Sequence, residues 1–580
     1  MVTKFEVLPN EILIQCFEYL NAPYLFYSFY QLNDRFNDLI RRIPLCINLK
    51  EDLAKSTFEN FCAKMSSNPG IKDQVYSLNL PSMEDNDHAG LRTNRFLSFF
   101  PLEDFVNLRK FKANVYVNFL PTGTISWEFN RVALLDFSMV SFPELRTISL
   151  SRLHGRSKNL ESFRLSITSL TLEISAFRDF YWLSQHTPML QHLHLCRLYG
   201  SDCFVNKPMK EPFSYLKTLI IDDYIYGSFD EFELFVKFTP NLENLTISAD
   251  EKELINASRW KQLITRSLLS LNTFQFKFSC SRYKLELNTM IPKLEEFQSD
   301  FWRKEHHWFT EYAIADDSIC VYTIPYAFNK YELKSNYERH RNDLTNNSDT
   351  FINVTSLKLS CEILQKKCED YFGNIKSLEL NGRSESLTIE KIECLRKIIN
   401  PFHLKYLDLS GLYDIDSSLV LKLLDQMPQL SILSIWRNDL IDCFYDNSEL
   451  CKRLNKMVKI LYLYGREWDD LFKMDQFYEI FCNIEHLQLE NSISEELFLS
   501  LSRLPKLTML QAECRGMNDR GRSISVIENE LKKQNVIYDI DYSVVDDRYD
   551  NSIEHVEHYD VKICLWRDNA ITRTNHFQSS

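Results

Sequence analysis

Glycine is scarce in this chain of 580 residues, which contains only 12 of them. β-Propellers repeat glycine motifs in each blade, and phosphate-binding loops need glycines so that backbone N–H groups can approach the phosphates. The motifs Gly-x-x-x-x-Gly-Lys, Gly-x-Gly-x-x-Gly, Gly-x-Ser-x-Gly and His-Glu-x-x-His do not occur. We therefore expect no catalytic residue and no cofactor, and we interpret the chain as a non-catalytic protein.

Long apolar runs and clusters of basic residues are also missing. No stretch reaches the roughly 18 apolar residues of a membrane-spanning helix, and polar residues interrupt the apolar positions near the start of the chain, where a secretory signal would lie. The net charge is −13, and there is no basic stripe of the kind that binds a phosphate backbone. We expect neither a membrane nor a nucleic acid as a partner.

Closely spaced cysteine pairs are missing too, although the chain contains 15 Cys. Scattered cysteines without a Cys-x-x-Cys pair favour reduced thiols over a disulfide framework, which predicts a cytoplasmic or nuclear protein. A hydrophobic content of 44% excludes disorder of the whole chain. A chain of this length then requires either several domains or a repeat architecture.

The first forty-odd residues form a helical pattern of their own. Pro9 suits the first turn of a helix, and Glu11 places an acid near the positive end of the helix dipole. Apolar residues then recur every three or four positions, at Ile12, Leu13, Cys16, Phe17 and Leu20. After a break at 21–23, a second apolar pattern runs through Leu25, Leu32, Phe36, Leu39 and Ile40. So short a segment cannot close a stable core alone, so it must pack on a partner or on the next domain.

The opening Leu8-Pro9-x-Glu11 and the apolar positions after it resemble the F-box. F-box proteins dock this segment onto the Skp adaptor, which connects them to a cullin–RING ubiquitin ligase. The sequence departs from the usual pattern where Phe36 replaces a common Trp and Tyr24 replaces a common Asp. The resemblance implies adaptor-facing or motif-core roles for Leu8, Pro9, Ile12, Leu13, Phe17, Leu20, Phe36 and Leu39. The alternative is that these helices merely cap the domain that follows.

A short phrase, apolar-x-x-apolar-x-apolar, recurs through the rest of the chain. Its first run begins at Leu145, Ile167, Leu190, Leu216, Leu242 and Leu271, with a weaker copy at Leu294. Its second run begins at Val354, Ile375, Leu404, Leu430, Val458, Ile484 and Leu507. Neighbouring starts lie roughly 21 to 29 residues apart, which is the period of leucine-rich repeats.

Helical patterns precede several of these phrases. Residues 230–238, 418–427 and 495–504 each read as a helix that ends before a proline, after which the chain turns into a strand. Alternation of helix and parallel strand predicts an α/β horseshoe, which resembles the degenerate leucine-rich repeats found behind F-boxes. The asparagine expected after each strand is mostly missing, so the repeats should be irregular. The alternative is a less regular α/β domain.

The interruptions of the period define the predicted domains. The F-box helices occupy 1–50, a first repeat arc 51–300, an insertion or hinge 301–350, and a second arc 351–515. Residues 516–568 form a closing segment, in which 536–545 and 561–566 are expected to be strands that cover the apolar edge of the last repeat. Residues 569–580 are expected to be a mobile tail.

One group of possible metal ligands occurs in the first arc. His192, His194 and Cys196 alternate along a predicted strand and therefore share one face. Side chains spaced along one strand run parallel rather than converging on an ion, and the sequence indicates no further ligand. We therefore predict no metal site and interpret these residues as a polar lining of the concave sheet. Paired acids such as Asp222 and Asp223 occur in turn-like contexts and are interpreted as solvated.

The concave face of the second arc is the predicted target-binding surface. Leucine-rich repeats usually contact partners through the side chains that alternate with the buried ones. In the second arc these include large aromatic residues beside Arg and Asp, the composition of a protein-binding hot spot. The candidates are Tyr406, Asp408, Trp436, Arg437, Tyr462 and Tyr464. The alternative is that the insertion or the closing segment covers them.

The F-box resemblance and the repeats together imply a substrate receptor of an SCF-type (cullin–RING) ubiquitin ligase. Its partners would be the Skp adaptor, the cullin–RING ligase reached through that adaptor, and a target protein. Two alternatives stay open: a non-degradative interaction scaffold whose helices only cap the repeats, and an enzyme whose site the sequence hides.

Overall fold

The structure is a computed structural model. It describes residues 5–49, 55–80, 96–118, 143–154, 166–200, 212–281, 287–315, 318–334, 338–341, 350–365, 370–382, 387–412, 415–465, 475–492, 500, 502–515, 529, 537–545 and 558–566. The chain forms two compact units. The first contains 1–313, 317–323 and 340–342, and the second contains 314–316, 324–339 and 343–580.

Three short helices open the first unit: α1 (Asn10–Glu18), α2 (Ala22–Ser28) and α3 (Asp34–Ile40). Pro9 precedes α1 in an extended conformation, one position earlier than the sequence pattern suggests, whereas Pro23 lies in the first turn of α2. The side chain of Asn33 accepts a hydrogen bond from the Phe36 N–H at 2.8 Å and so caps α3.

A cluster of four phenylalanine rings holds these helices together. The rings of Phe5, Phe17, Phe29 and Phe36 have centroids 5.0–6.4 Å apart. Tilted and edge-on pairs at such distances add to the stabilisation that burial alone provides. The helices therefore have a small apolar core of their own.

The three helices are also joined to the first sheet. The Asn21 side chain donates to the Asn48 carbonyl at 2.7 Å and accepts from the Asn48 N–H at 2.8 Å. Gln74 donates to the carbonyls of Ile40 and Ile43, and the rings of Phe26 and Phe61 meet edge-on. Because Asn48 is the last residue of strand β1, the helical segment and the sheet share a continuous packing.

The sheet of the first unit is mostly parallel. Its strands β1 to β9 pair in chain order: Leu45–Asn48, Val75–Leu80, Lys110–Asn118, Thr147–His154, Ser169–Ala176, His192–Tyr199, Thr218–Ile225, Asn244–Ala249 and Thr273–Ser281. Beyond β9 the order continues with β11 (Ser318–Ile324), β10 (Phe309–Ile314) and β13 (Glu338–Arg341). Strand β11 runs antiparallel to β9, which ends the parallel run.

The second sheet repeats this plan. Strands β12 and β14 to β20 pair in parallel and in chain order: Lys330–Leu333, Ser356–Ser360, Ser377–Asn381, Tyr406–Gly411, Ile432–Trp436, Ile460–Tyr464, His486–Ser492 and Met509–Arg515. Strand β22 (His558–Trp566) pairs antiparallel with β20, and β21 (Ile537–Val545) pairs antiparallel with β22.

Helices connect many of the strands. Beyond α3 they include Lys55–Ser67, Gly70–Asp73, Phe177–His186, Phe229–Val236, Ala257–Ser267, Leu287–Glu295, Ile389–Ile398, Ser417–Asp425, Arg437–Asp446, Ser448–Met457 and Asp475–Ile480. Polar caps fix where several begin: the side chains of Ser228, Thr388, Asp416 and Asn447 each accept a hydrogen bond from a backbone N–H of the first turn. Within the described part of the chain, every helix is too short or too polar to cross a membrane.

The core of each unit is a ladder of apolar side chains repeated from strand to strand. In the first sheet Leu193, Leu219, Leu245 and Phe274 occupy matching positions on β6 to β9, and all four are buried. The residues between buried ladder positions are half-exposed on the opposite face, here called the open face. The architecture is α/β with mostly parallel sheets, which is compatible with a solenoid-like fold.

The structure extends the sequence prediction in two places and confirms it in a third. Strands β1 to β3 precede the first phrase found in the sequence, so the sheet begins within the segment 1–50. Residues 301–350, expected to be a loop or hinge, contain β10 to β13. The closing strands predicted at 536–545 and 561–566 are present as β21 and β22. The tail 569–580 and most of the helix predicted at 495–504 lie outside the described residues.

Candidate interaction surfaces

The eight N-terminal candidate residues fall into two groups by burial. Leu13, Phe17, Phe36 and Leu39 are buried within the helices. Leu8 and Leu20 are half-buried, and Pro9 and Ile12 are exposed. Leu13, Phe17, Phe36 and Leu39 therefore stabilise the helices, whereas Pro9 and Ile12 are accessible to a partner.

Arg35 positions the segment that carries Leu8 and Pro9, a role that the sequence did not reveal. Its guanidinium donates to the side-chain oxygen of Asn10 at 2.8 Å and to the carbonyls of Glu6 and Leu8, both at 2.6 Å. A planar guanidinium can hold three acceptors at fixed angles. Arg35 on α3 thus fixes the chain immediately before α1.

Further large apolar side chains are exposed near Ile12. Val7, Ile12, Tyr19, Tyr27 and Leu32 are between 42% and 91% exposed. Single exposed apolar residues are ordinary on protein surfaces, but five among about 25 residues are a local concentration. Helices α1 to α3 and the segment before them therefore have an unusually apolar exterior.

The second candidate surface lies on the open face of β16 to β18. Strand register places Asp408 beside Ser434 and Ser434 beside Tyr462, and it places Trp436 beside Tyr464. The rings of Tyr406 and Tyr462 lie 6.2 Å apart, as do those of Trp436 and Tyr464. The four aromatic side chains are all half-exposed. The structure thus brings the predicted aromatic residues together on three adjacent strands.

Asp408 organises this surface rather than presenting its charge to solvent. Its carboxylate accepts hydrogen bonds from the Tyr406 hydroxyl at 2.9 Å and from both the N–H and the hydroxyl of Ser410. The Tyr406 hydroxyl also lies 2.9 Å from the hydroxyl of Ser434. Burial and the Asp408 charge raise the pKa of Tyr406. Because Asp408 is buried and fully engaged, we assign it a positioning role.

Trp436 is fixed in the same way, but its ring remains partly accessible. The indole N–H donates to the Ser410 carbonyl at 2.6 Å. Burial raises the pKa of Tyr462 and of Tyr464. The hydrogen bonds of Tyr406 and Trp436 pre-position these two side chains, which lowers the entropy cost of binding a partner.

Arg437 requires a correction. The sequence placed it beside the aromatic residues as a target-binding candidate, but its side chain is fully buried. It begins the helix Arg437–Asp446, and its Nη2 donates to the Glu490 carbonyl at 2.8 Å. Arg437 therefore fixes the end of β19 and is not accessible on the open face.

The polar positions of the first open face contain an additional cluster. His194 Nε2 lies 2.7 Å from Asp222 Oδ2, and Cys196 lies on the same strand as His194. Asp222 belongs to β7 rather than to a turn, which corrects the sequence interpretation. Burial, together with the charges of Asp222 and Glu173, raises the pKa of the Cys196 thiol. His192 is exposed and is not part of the cluster.

Comparison with known proteins adds no family to this description. No model of a known protein family matches the chain, and no curated protein matches it either. Function must therefore be inferred from the residues and their geometry.

Proposed function

We propose that the protein is a substrate receptor of an SCF-type cullin–RING ubiquitin ligase. Helices α1 to α3 would act as an F-box that binds the Skp adaptor, and the open face of the second sheet, within a set of irregular leucine-rich repeats, would bind a target protein. Such a protein performs no bond chemistry. It raises the effective concentration of target lysines near the ubiquitin thioester, in the cytoplasm or the nucleus.

One observation carries this proposal: helices α1 to α3 bury Phe17 and Phe36 yet leave large apolar side chains exposed at their surface. Val7, Ile12 and Tyr27 are between 42% and 76% exposed, and none of them belongs to the phenylalanine cluster. Burial of one such side chain in an interface is worth about 1.5–3 kcal/mol. The F-box resemblance implies that an apolar groove on the Skp adaptor would bury these side chains.

Arg35 supports the same proposal. A docking segment binds more tightly when its geometry is set before the partner arrives, because less conformational freedom is lost on binding. The three hydrogen bonds of Arg35 hold Glu6, Leu8 and Asn10 around Pro9. The exposed Pro9 and Ile12 are therefore presented from a fixed backbone.

The variant Ile12→Asp should abolish adaptor capture without unfolding the helices. Ile12 is 42% exposed, so its loss removes little core packing, whereas a carboxylate at an apolar interface would be desolvated without a partner. We expect a loss of at least about 2 kcal/mol, or roughly 30-fold in affinity. The measurement is co-purification of the Skp adaptor and the cullin with the full-length chain.

Leu269→Asp is the matched control for Ile12→Asp. Leu269 is also an exposed apolar residue of the first unit, but it lies outside the N-terminal helices. The control should retain the adaptor at the wild-type level. Equal capture by wild type and Ile12→Asp, with the helices folded in both, would contradict the adaptor assignment.

A double substitution, Trp436→Ala with Tyr462→Ala, should reduce target capture at least tenfold while adaptor capture stays unchanged. Aromatic anchors of this kind contribute about 2 kcal/mol or more each at interface hot spots. Proximity labelling that compares the variant with wild type measures the loss. His192→Ala on the open face of the first sheet is the control, and an unchanged set of labelled proteins would remove the aromatic surface from the account.

A second function, a non-degradative interaction scaffold, is favoured by a different observation. The N-terminal helices pack on the first strands through Asn21, Gln74 and the Phe26–Phe61 ring pair, as terminal caps of solenoids do. Capping alone does not explain why large apolar side chains of these helices are exposed. Adaptor binding accounts for both features, so we place the ligase function first.

A further inference from the structure

We propose that His194, Cys196 and Asp222 form a zinc site on the open face of the first sheet, with a water molecule as the fourth ligand. The site lies on β6 and β7, in the other unit from the aromatic surface of β16 to β18. It does not depend on the ligase function.

Convergence of side chains from two strands is the first step of the argument. Leu195 pairs with Ile221 and Leu198 with Tyr224, so Cys196 lies directly beside Asp222 on the neighbouring parallel strand. Neighbouring strands are about 4.8 Å apart, closer than residues two apart along one strand. Asp222 therefore approaches both His194 and Cys196, which the spacing within β6 alone does not bring together.

The distances suit a small transition metal. One ligand atom from each residue lies within 4.8 Å of the other two, and His194 Nε2 is 2.7 Å from Asp222 Oδ2. Zinc bonds of about 2.0–2.3 Å at tetrahedral angles place ligand atoms roughly 3.3–3.6 Å apart. The site requires small rotations of these half-exposed and exposed side chains to bring the three atoms to that separation.

The chemistry of the three donors selects zinc over harder cations. Calcium and magnesium prefer oxygen ligands, whereas imidazole, thiolate and carboxylate together are typical of zinc. Three protein ligands with an open fourth position is the arrangement that admits water. The neighbouring Glu173 adds negative charge, although it lies 3.6 Å from the Arg197 guanidinium and is not a ligand in this conformation.

Both negative and positive side chains surround the cluster. Asp222 and Glu173 lie near the Cys196 thiol, and they are opposed by Arg197 on the same strand and by Lys112 on β3. A divalent ion would offset the repulsion between the carboxylates and the thiolate that coordination requires. The His194–Asp222 contact is then the metal-free form of the site.

Cobalt provides the direct test, because it replaces zinc and reports thiolate coordination as a charge-transfer absorption. The full-length chain is stripped with a chelator and titrated with Co²⁺, and Zn²⁺ is then added in competition. We expect one equivalent of Co²⁺ with a thiolate band, displaced by Zn²⁺. Loss of an outer partner of a metal ligand already costs about 10–100-fold in affinity, so Cys196→Ser should cost at least about 100-fold and eliminate the band.

Two variants serve as controls and distinguish the outcomes. His192→Asn changes an exposed histidine on the same face of β6, and Cys482→Ser changes a half-buried free cysteine elsewhere, so both should bind cobalt as wild type does. Asp222→Asn should weaken binding at least tenfold, with an unchanged circular dichroism spectrum. No bound cobalt, or a thiolate band that survives in Cys196→Ser, would overturn the site and leave only a His194–Asp222 hydrogen bond.

Discussion

Replacing Phe36 by alanine should destabilise the N-terminal helices by about 3–5 kcal/mol, the usual cost of removing a buried phenylalanine. The Phe36 side chain is 1% exposed, and its ring lies 6.2, 5.7 and 5.8 Å from the rings of Phe5, Phe17 and Phe29. Because Phe36 contacts all three other rings of the cluster, its loss should lower the local stability of α1 to α3.

Hydrogen exchange of the backbone amides in α1 to α3 measures this local free energy of unfolding directly. Tyr27→Ala is the matched control, since Tyr27 is an aromatic residue of α2 that is 63% exposed. It should change stability by no more than about 0.5 kcal/mol. Equal protection of the helices in Phe36→Ala and in Tyr27→Ala would contradict a phenylalanine core at this position.

Replacing Trp260 by alanine should destabilise the first unit by about 3–5 kcal/mol. Trp260 is fully buried in the helix Ala257–Ser267. Its ring contacts Phe229 and Phe232 of the preceding helix and Phe274 and Phe278 of β9, with centroids 4.9–5.4 Å apart. One side chain therefore joins two helices to the sheet.

Trp260→Phe separates the contribution of packing from that of hydrogen bonding. The indole N–H donates to the Leu254 carbonyl at 2.9 Å, and phenylalanine leaves that buried acceptor without this donor at a cost of about 1–3 kcal/mol. The protection of the β8 and β9 amides from hydrogen exchange should be lowest in Trp260→Ala, intermediate in Trp260→Phe and highest in wild type. Leu269→Ala, an exposed position just after the same helix, should match wild type; a Trp260→Ala protein as stable as this control would refute the role of Trp260.

The repeating strands were predictable because each one uses the same local rule. An apolar-x-x-apolar-x-apolar phrase places buried residues on one face of a strand, and Leu193, Leu219 and Leu245 occupy matching positions on three neighbouring strands. The pattern also indicated that Tyr406, Tyr462, Trp436 and Tyr464 share an open face, since alternation along a strand is fixed by backbone geometry. Every strong copy of the phrase overlaps a strand, but the weaker copy at Leu294 lies in the helix Leu287–Glu295 and forms no strand.

The strands before the first recognised phrase could have been found with the same rule. Val75-Tyr-Ser-Leu78-Asn-Leu80 fits the phrase, but its distance to the next copy is irregular. Residues 301–350 could not be assigned in this way, because β10 and β11 lack the phrase and are buried on nearly every residue. Continuous burial of this kind leaves no alternation for a sequence pattern to detect.

Contacts between residues of different strands and helices could not be predicted from the sequence either. Arg437 follows Trp436 directly, yet the chain turns into a helix at that point and takes the guanidinium into the interior. Asp222 converges on His194 only because β6 and β7 are adjacent and in register. Neither fact follows from spacing along a single strand, so both required the paired sheet.

We propose that exposed residues of the N-terminal helices bind a Skp-type adaptor. Calorimetric titration of the purified adaptor into the full-length chain tests it most directly, with wild type, the exposed-site variant Pro9→Ala/Ile12→Asp and the control Leu269→Asp measured side by side. We predict a one-to-one complex for wild type and control, and an affinity at least about 30-fold lower for the exposed-site variant. No heat of binding from wild type, or equal affinities for all three proteins, would contradict the claim.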